Sequence, residues 1–449
     1  MKLLFILCFI PWSAFTQIPQ AMRDSINRVT QADYEQMLNQ LNIKKNQLRP
    51  GPSGNPSDAN AANNFENKVN QYALPDPLLL KNGKPVKDEN AWWNLRRPEI
   101  VNDFEQEVYG RLPNEIPKVS WRIISVKDTI VGNQPIKQKI LKGVVDNSTY
   151  RAVNVEIEFL VATPAHANSA VPLVLELGWI KSSWDNSPIK PIGLGSAAEP
   201  TWKEQLISNG WGYAIVVPSS IQADNGAGLT RGIIGLVNKG TYRKPDEWGA
   251  LRAWAWGASR ALDYLETDKD VDAKRVAIEG LSRYGKAALV AMAFDSRFSL
   301  GFIGSSGAGG AKILRRIFGE QVENLCSSGG YHWFAGNFIK YASTKTIDDL
   351  PVDAHELLAM CAPRPVFISA GSPQVEGQWI DAKGMFLAGV HAGPVYQLLN
   401  RKDLNTNVFP ALGSALTSGE IAFRQHAGGH STGPNWSTWI GWASKYWKN

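Results

Sequence analysis

Short apolar runs alternate with segments of helical periodicity over most of the chain after about residue 85. The runs VPLVLEL at 171–177 and GYAIVVP at 212–218 are typical of buried strands. Shorter apolar segments predict further strands, which lie at 275–279, 301–303, 365–369 and 421–425. Residues 246–267 begin with two acidic residues and then repeat apolar positions at helical spacing, so they predict a long helix. This alternation predicts an α/β fold: a mostly parallel sheet between two layers of helices.

The N-terminal part of the chain has a different character. One lysine precedes a short apolar run at 3–10, so residues 1–16 are interpreted as a secretory signal peptide, too short to span a membrane. Residues 20–48 show helical spacing, and residues 49–64 form a linker rich in Pro, Gly and Asn. We therefore expect an N-terminal extension at 17–84 that packs on a catalytic domain at 85–449.

Composition excludes some classes of partner. Apolar residues make up 44% of the 449 residues and charged residues 20%, which is ordinary for a globular protein. The net charge is +6, but the basic residues are scattered, so we expect no nucleic-acid partner. The charge is compatible with an acidic polysaccharide. Because the sequence shows no further membrane segment, we expect no membrane insertion after the signal peptide is removed. We expect a monomer that is secreted or periplasmic.

Two observations concern side chains rather than charge. There are 17 tryptophans, and most should fill the core while a few could stack on sugar rings at a pocket mouth. Removal of the signal peptide leaves Cys326 and Cys361, which could form one disulfide or remain as two buried thiols. No His or Cys spacing typical of a metal site occurs, so we predict neither a metal nor another cofactor.

The segment GLSRYGK at 280–286 contains the candidate nucleophile, Ser282. It follows a predicted strand and precedes a helix-favouring stretch, which is the arrangement of the nucleophile turn in α/β-hydrolases. The usual pattern is G-x-S-x-G, whereas here Tyr284 occupies the last position and Gly285 follows it. The alternative interpretation is an ordinary serine at a helix N-cap.

Several separated motifs resemble glucuronoyl esterases, carbohydrate esterase family 15, and its bacterial members in particular. GLSRYGK is similar to the G-x-S-R-x-G-K signature of that family. The further matching segments, in order along the chain, are SSGAGGAKILRR (305–316), DAHELLAMCAPRPVFIS (353–369), WIDAKGMF (379–386) and GGHSTGPNW (428–436). The resemblance covers roughly residues 85–449. It implies an α/β-hydrolase fold and a metal-free serine esterase acting on esters of 4-O-methyl-glucuronic acid.

The resemblance implies roles for individual residues. Ser282 corresponds to the nucleophile, and Arg283 to an arginine that helps form the oxyanion hole, where negative charge develops. Lys286 corresponds to a lysine that contacts uronate hydroxyls, although an exposed helix lysine is the alternative. His430 corresponds to the catalytic base. His426 is its rival, but we interpret it as structural because His430 occupies the family position before Ser-Thr-Gly-Pro-Asn-Trp.

The catalytic acid is where the sequence departs from the family pattern. Many members carry a glutamate at the position of Ser305, and a serine cannot balance an imidazolium charge. Some bacterial members place the acid after the later strand, which here is 365–369, and both Glu376 and Asp381 follow that strand. We favour Glu376, because Asp381 precedes a helix and has a sufficient reason to be there as an N-cap.

Three more residues are candidates for substrate binding. Trp379 and Glu320 correspond to family residues near the uronate, and Trp333 is a further pocket candidate. As alternatives, Trp333 could belong to the core, and Glu320 could pair with Arg315 or Arg316.

The functional hypothesis is an esterase that cleaves the bond between glucuronic acid of glucuronoxylan and lignin alcohols through an acyl-enzyme. An acetyl or feruloyl xylan esterase is one alternative, and it would not need the uronate contacts of Lys286, Glu320 and Trp379. A catalytically weak protein that binds acidic glycan is the other, and its support is the missing acid at Ser305.

Overall fold

A computed structural model describes residues 19–180 and 200–447 of the chain. The predicted signal peptide lies outside the described residues. Within the described ranges, no helix is long and apolar enough to cross a membrane.

The described residues contain one ten-stranded sheet with the strand order β1-β2-β3-β5-β4-β6-β7-β8-β10-β9. Strands β4, β5, β6, β7, β8 and β10 are parallel to their neighbours within that group, while β1–β3 and β9 add antiparallel pairs at the two edges. The predicted α/β class with a mostly parallel sheet is confirmed. The strands are β1 Val119–Val131, β2 Gln134–Val145, β3 Glu156–Pro164, β4 Val171–Leu177, β5 Gly212–Val216, β6 Val271–Leu281, β7 Leu300–Gly304, β8 Val366–Ala370, β9 Ala415–Leu416 and β10 Ile421–Gln425.

Helices cover the sheet and its edges. The α-helices of the described residues are α1 Gln20–Gln40, α2 Glu89–Ala91, α3 Arg97–Glu107, α4 Trp202–Ser208, α5 Pro218–Ile221, α6 Gly232–Val237, α7 Ala250–Leu265, α8 Arg283–Phe294, α9 Val322–Leu325, α10 Ala354–Ala359, α11 Ala382–Leu398 and α12 Trp436–Ala443. A π-helical turn at Trp92–Arg96 precedes α3. Short 3₁₀ segments lie at Lys45–Gln47, Glu66–Lys68, Gly226–Gly228, Tyr331–Trp333, Gly336–Ala342, Ile347–Asp349, Gln378–Ile380 and Gly433–Asn435.

Two predicted helices are shorter than their apolar spacing suggested. The helix predicted at 20–48 ends at Gln40, where Leu41 caps it and Asn42 takes a positive φ of 55°. The helix predicted at 246–267 begins only at Ala250, because Gly249 is extended and donates its backbone N–H to Tyr109. The first helix therefore ends in a local turn, in which the Asn42 and Ile43 N–H groups donate to the Asn39 and Leu38 carbonyls. The second is shortened because its backbone pairs with another part of the fold, which local spacing does not encode.

The antiparallel strands β1–β3 have no counterpart in the sequence prediction. Strand β1 leaves most of its residues at least partly exposed, including Ile123, Ile124 and Ile130. A strand at the edge of a sheet does not show the continuous apolar run that a buried parallel strand shows. Cross-strand pairing with β2 from Val119–Val145 to Val131–Gln134 determines this segment instead.

Most of the tryptophans for which a core role was expected do fill the interior. Trp436, Trp439 and Trp442 of α12 are each 1% exposed or less and pack under the sheet. The Trp439 ring stacks on Phe302 of β7, with centroids 5.7 Å apart, and Trp442 contacts Phe367 of β8. The last helix therefore covers one face of the central parallel strands.

Helix α1 packs against the segment around residues 326–336 on the other side of the molecule. Met37 and Leu38 are 1% and 2% exposed, and the Tyr34 hydroxyl donates to the Cys326 carbonyl at 2.8 Å. Cys326 and Cys361 are both free and buried, so of the two alternatives the structure has thiols rather than a disulfide. Burial raises the pKa of the Cys361 thiol to about 12.

The buried His355 of α10 predicts a pH-dependent stability. Its Nε2 lies 2.8 Å from the Pro75 carbonyl, and burial lowers its pKa to about 4. The unfolded chain therefore binds a proton that the folded chain excludes, and the free energy of unfolding should fall by up to about 3 kcal/mol between pH 6.5 and pH 4. His355→Gln should make this loss smaller in urea unfolding. The exposed His166→Gln is the control, and equal pH slopes for the two variants would contradict the assignment.

Candidate active site

Ser282 lies in a sharp turn between β6 and α8. It has a φ of 62° and a ψ of −129°, and its side chain makes no cap hydrogen bond to the helix. Its backbone N–H instead donates to the Gly304 carbonyl at the end of β7, at 2.9 Å. A serine held at positive φ is strained, and such strain is typical of functional turns. The ordinary N-cap interpretation therefore does not describe what this side chain does.

The displaced glycine of the motif has a packing reason. A Cβ on Gly285 would meet the carbonyl oxygens of Gly304 and Gly280 at 2.7 and 2.9 Å, so this position allows α8 to lie close to β6 and β7. Tyr284 is 4% exposed and packs against Trp254 and Trp179, with centroids 5.3 and 5.0 Å away. The tyrosine thus fills an aromatic pocket, and the glycine one residue later provides the close approach.

Glu376 and His430 are in direct contact. The Nδ1 atom of His430 lies 2.6 Å from Oε1 of Glu376, whose side chain is fully buried, whereas that of His430 is 34% exposed. The other carboxylate oxygen of Glu376 accepts the backbone N–H of Gly371. This contact fixes the histidine ring and leaves Nε2 as the nitrogen available to a proton donor.

Two loops that follow neighbouring parallel strands produce this contact. Gly371 comes directly after β8, and a Cβ there would collide with the carbonyl oxygens of Gly428 and Gly429 in the loop after β10. The Ser372 N–H donates to the Gly428 carbonyl at 2.8 Å, and the Gln425 amide donates to the Gly371 carbonyl at 2.9 Å. The backbone of the two loops is therefore joined beneath the histidine–carboxylate pair.

Asp381 and His426, the alternatives for acid and base, have other partners. The Asp381 carboxylate accepts the Gly384 N–H of α11 at 2.9 Å and forms a buried ion pair with Arg316 at 3.0 Å. Nε2 of His426 lies 2.9 Å from the Ser431 carbonyl, and its Nδ1 accepts the Gly428 N–H at 3.0 Å. Both side chains stabilise the backbone around the site.

The loop that carries His430 lies beside the Ser282 turn. A Cβ on Gly304 would overlap the Thr432 methyl group, and Gly304 is the residue whose carbonyl accepts the Ser282 N–H. Thr432 also hydrogen-bonds Glu279, which lies three residues before Ser282. Burial, together with the neighbouring Glu176 charge, raises the pKa of Glu279 well above its ordinary value. The Ser282 turn therefore lies next to the loop that carries His430, at the carboxyl edge of the sheet.

Arg283 is held by a carboxylate that the sequence interpretation did not include. Its Nε lies 2.7 Å from Oδ2 of Asp224, in the loop after β5 and α5. Oδ1 of Asp224 accepts the Trp333 indole N–H at 2.6 Å and lies 3.0 Å from His332 Nε2. Although burial raises the pKa of Asp224, these hydrogen bonds and the Arg283 charge bring it below its ordinary value. Trp333 is therefore tied to the arginine through one carboxylate.

Lys286 lies in the first turns of α8, four residues after Ser282, and is buried. Its Nζ donates to the Ser306 carbonyl at 2.6 Å and lies 3.7 Å from Oε2 of Glu320. Burial lowers the pKa of Lys286. The Glu320 Oε2 atom is buried and makes no hydrogen bond within the described residues. Glu320 therefore does not pair with Arg315 or Arg316, the alternative that its sequence position left open.

Trp379 is the most exposed of the predicted binding residues, at 37%. Its ring lies 5.4 Å from the His430 ring, and its indole N–H donates to the Glu376 carbonyl at 2.8 Å. Glu320 donates its backbone N–H to the Trp379 carbonyl at 3.0 Å. The indole therefore forms an apolar wall beside the histidine and is anchored to the loop that carries Glu376.

Ser305, at the position where the resemblance led us to look for an acid, has a φ of 41° and is 1% exposed. Its N–H donates to the Ser369 carbonyl at 2.7 Å. No carboxylate is contributed from this strand end; the one in contact with His430 comes from the next strand end, after β8. Among the described residues, no group of three His, Cys, Asp or Glu side chains is placed to hold a metal ion.

The sequence interpretation missed Asp224 and His332. A signal for Asp224 was available, since it follows the buried strand at 212–218, and polar side chains after such strands meet at one sheet edge. His332 offered no comparable signal, because it lies in a short 3₁₀ segment between irregular loops. Of the predicted residues, Ser282, Arg283 and Lys286 lie in α8 or the turn before it, and Glu376, Trp379 and His430 lie in the loops after β8 and β10. Glu320 contacts the first group through Lys286, and Trp333 contacts it through Asp224.

Comparison with known proteins points to one family of esterases. Residues 240–400 match the family model described as glucuronyl esterase, fungi. The chain is 33% identical over 407 residues to carbohydrate esterase MZ0003 from an unknown prokaryotic organism, covering 85% of this chain and 91% of that protein. It is 34% identical over 351 residues to 4-O-methyl-glucuronoyl methylesterase 1 of Wolfiporia cocos, covering 74% of each.

A solved structure is similar over almost the whole chain. The family 15 glucuronoyl esterase of Teredinibacter turnerae T7901 has a TM-score of 0.85 and 42% identity, covering 93% of this chain and all of that one. Together with the sheet and the nucleophile turn, these similarities define an α/β-hydrolase that cleaves carboxylic esters. The chain belongs to carbohydrate esterase family 15, the glucuronoyl esterases.

The contacts of Asp224 predict the titration of His332. Burial lowers the pKa of His332, and the Asp224 carboxylate offsets part of this effect. Asp224→Asn removes the negative charge while keeping the shape, so the pKa of His332 should fall further. NMR titration of the imidazole, assigned with a His332→Gln variant, measures this shift. The exposed Asp58→Asn is the control, and an unchanged His332 titration in Asp224→Asn would contradict the pairing.

Proposed function

We propose that the chain is a serine esterase that hydrolyses the ester between 4-O-methyl-glucuronic acid of glucuronoxylan and a lignin alcohol. The observation that carries this proposal is the 2.6 Å contact of His430 with Glu376 beside the strained Ser282 turn. A carboxylate, a histidine and a serine in this relation form the arrangement that activates a hydroxyl nucleophile. Membership of the family and the name of the Wolfiporia cocos relative support the uronate substrate.

In the proposed first step, His430 Nε2 accepts the proton of the Ser282 hydroxyl while Oγ attacks the ester carbonyl carbon. The carbonyl oxygen becomes an oxyanion, which the first-turn N–H groups of α8 and the Arg283 guanidinium stabilise. His430 then gives its proton to the oxygen of the departing alcohol as the carbon–oxygen bond breaks. Glu376 stabilises the imidazolium that exists between these two transfers.

In the proposed second step, water replaces the alcohol. His430 takes one proton from the water while the water oxygen attacks the acyl carbon. His430 then gives this proton to Ser282 Oγ as the bond between Oγ and the acyl carbon breaks. The product is a free uronate, whereas the substrate ester is neutral at its carbonyl. Arg283 and Lys286 are cations near this position, and they favour the charge that appears as the reaction proceeds.

The sugar hydroxyls are proposed to bind at Lys286 and Glu320. The Glu320 Oε2 atom has no hydrogen-bond partner among the described residues, so it can accept a hydroxyl donor, while Lys286 Nζ is a donor 3.7 Å from it. Trp379 is proposed to stack against the uronate or the alcohol. Trp333, whose ring lies 6.0 Å from Lys286 Nζ, is proposed to line the same site. A site for acetyl groups would need none of these polar contacts, which favours the uronate ester over the acetyl or feruloyl alternative.

The cellular setting is proposed from the sequence. We expect residues 1–16 to direct the chain to the periplasm or the exterior, residues 17–84 to be an extension, and residues 85–449 to form the catalytic domain. The partner is glucuronoxylan or a lignin–carbohydrate ester, no cofactor takes part, and the protein acts as a monomer.

Substrate choice tests the proposed reaction. Wild-type protein should release benzyl alcohol from benzyl glucuronate, and chromatography of the alcohol measures this release. Ser282→Ala should lower kcat by about 10³-fold or more. The exposed Ser414→Ala is a matched control and should retain wild-type turnover. Cleavage of acetylated or feruloylated xylan without release of benzyl alcohol would overturn the substrate. Unchanged turnover in Ser282→Ala would overturn the mechanism.

A comparison of two carboxylates tests the acid. Glu376→Gln should lower kcat by roughly 10²–10⁴-fold while leaving the melting temperature nearly unchanged, because it removes the charge that balances the imidazolium. Asp381→Asn should instead lower the melting temperature, since it removes the buried charge that pairs with Arg316 Nε and leaves only the half-exposed Glu66 on that guanidinium. Paired kinetics and thermal unfolding of both variants separate the two roles. A larger loss of kcat in Asp381→Asn, at intact stability, would assign the acid to Asp381.

A further inference from the structure

A cavity of about 260 Å³ lies between α1 and the loop that carries Asp224. Its walls come from three segments: the α1 side chains from Ile26 to Gln31, residues 224–226, and residues 328–332. The position is fixed by contacts on both sides. The Ala227 N–H donates to Thr30 Oγ1 at 3.0 Å, and the Tyr331 hydroxyl donates to Asp33 at 2.6 Å. The cavity is therefore part of the fold and depends on α1.

The cavity is lined mainly by neutral polar groups. Asn27 and Gln31 of α1 face it together with Asn225 and Ser328. The side-chain amide of Asn27 makes no hydrogen bond to another described residue, so both its donor and its acceptor are available. An amide offers a donor and an acceptor side by side, which matches adjacent hydroxyl groups of a sugar. Ile26 adds an apolar surface for the C–H face of a ring.

His332 provides a second, independent sign of a ligand. It is 3% exposed and lines the cavity, and its Nδ1 is buried without a hydrogen-bond partner among the described residues. Nε2 faces the Asp224 carboxylate, so the neutral ring carries its proton there and presents Nδ1 as an acceptor. A buried polar atom without a partner is costly. A hydroxyl donor that reached this atom from the cavity would satisfy it.

Asp224 joins this cavity to the candidate active site. Oδ1 of Asp224 bonds His332 at the cavity wall, while Oδ2 lies 2.7 Å from Nε of Arg283. The Asp224 carboxylate thus lies between an occupant of the cavity and Arg283, the residue next to Ser282. This places the cavity within reach of a substrate whose ester group lies at Ser282.

We propose that this cavity is a subsite for a neutral sugar residue of the polysaccharide chain that carries the esterified uronate. The proposal rests on the esterase function proposed above. A charged sugar fits less well, because the lining contains no lysine or arginine and its one carboxylate, Asp224, would repel an anion. The subsite gives α1 a role in substrate binding, so the extension selects polymeric over small esters.

The test compares two substrates in the full mature chain. One is benzyl glucuronate, which has no glycan chain, and the other is the methyl ester of a glucuronoxylo-oligosaccharide. Asn27→Ala should lower kcat/KM for the oligosaccharide relative to benzyl glucuronate by about fivefold, the effect of one lost hydrogen bond. Asn39→Ala, an exposed amide on the same helix outside the cavity, is the matched control and should leave this ratio unchanged.

A binding measurement separates the subsite from the chemistry. Xylotriose titrated into Ser282→Ala should shift the NMR signals of the His332 ring and bind less tightly in Asn27→Ala. Equal substrate ratios for Asn27→Ala and Asn39→Ala, or no His332 shift at saturating xylotriose, would overturn the subsite. Failure of wild-type protein to cleave benzyl glucuronate would instead overturn the esterase function, while the xylotriose titration would still decide the binding.

Discussion

The close approach of the strand ends at the carboxyl edge of the sheet is the constraint on which the rest of the site depends. Gly285 and Gly304 allow α8 and the loop after β10 to lie against the Ser282 turn, and Gly371 allows the loop after β8 to cross the backbone at Gly428. The 2.6 Å contact of Glu376 with His430 is a consequence of that crossing. A side chain at any of these glycines would overlap neighbouring atoms and push the loops apart, although it would not itself replace a reacting group.

The carboxylate in contact with His430 follows β8, whereas the family motif places a glutamate after β7, at the position of Ser305. The backbone around these two strand ends explains why either position can supply the carboxylate. The ends of β7 and β8 are adjacent, and the Ser305 N–H donates to the Ser369 carbonyl at 2.7 Å. An acid from either strand end therefore starts from nearly the same place. In this chain a serine stands after β7, and the loop after β8 turns back to bring Glu376 under the histidine.

A second network extends the site beyond the central strands. Asp224 links Arg283 to Trp333 and His332, and His332 in turn borders the cavity formed by α1. The N-terminal helix, which carries no reacting group, thereby lies one carboxylate away from the arginine. Asp224 therefore contacts groups on both sides, and we expect an occupant of the proposed subsite to act on the position of the arginine through this carboxylate.

The sequence by itself determined the parallel core and the nucleophile turn, because buried strands produce continuous apolar runs and the turn requires Gly280 and Gly285 at fixed positions. The resemblance of its motifs to family 15 also indicated Lys286 and His430, and reduced the candidates for the acid to Glu376 and Asp381. Only the tertiary structure decided which of these two carboxylates contacts the histidine, because both follow β8. Arg316, which precedes Asp381 by 65 residues, pairs with Asp381 and leaves Glu376 to the histidine. Strands β1 and β2, which a two-residue turn joins, were missed because β1 is exposed along its length and shows no continuous apolar run. The Asp224 network was decided by contacts between distant segments, which local pattern does not record.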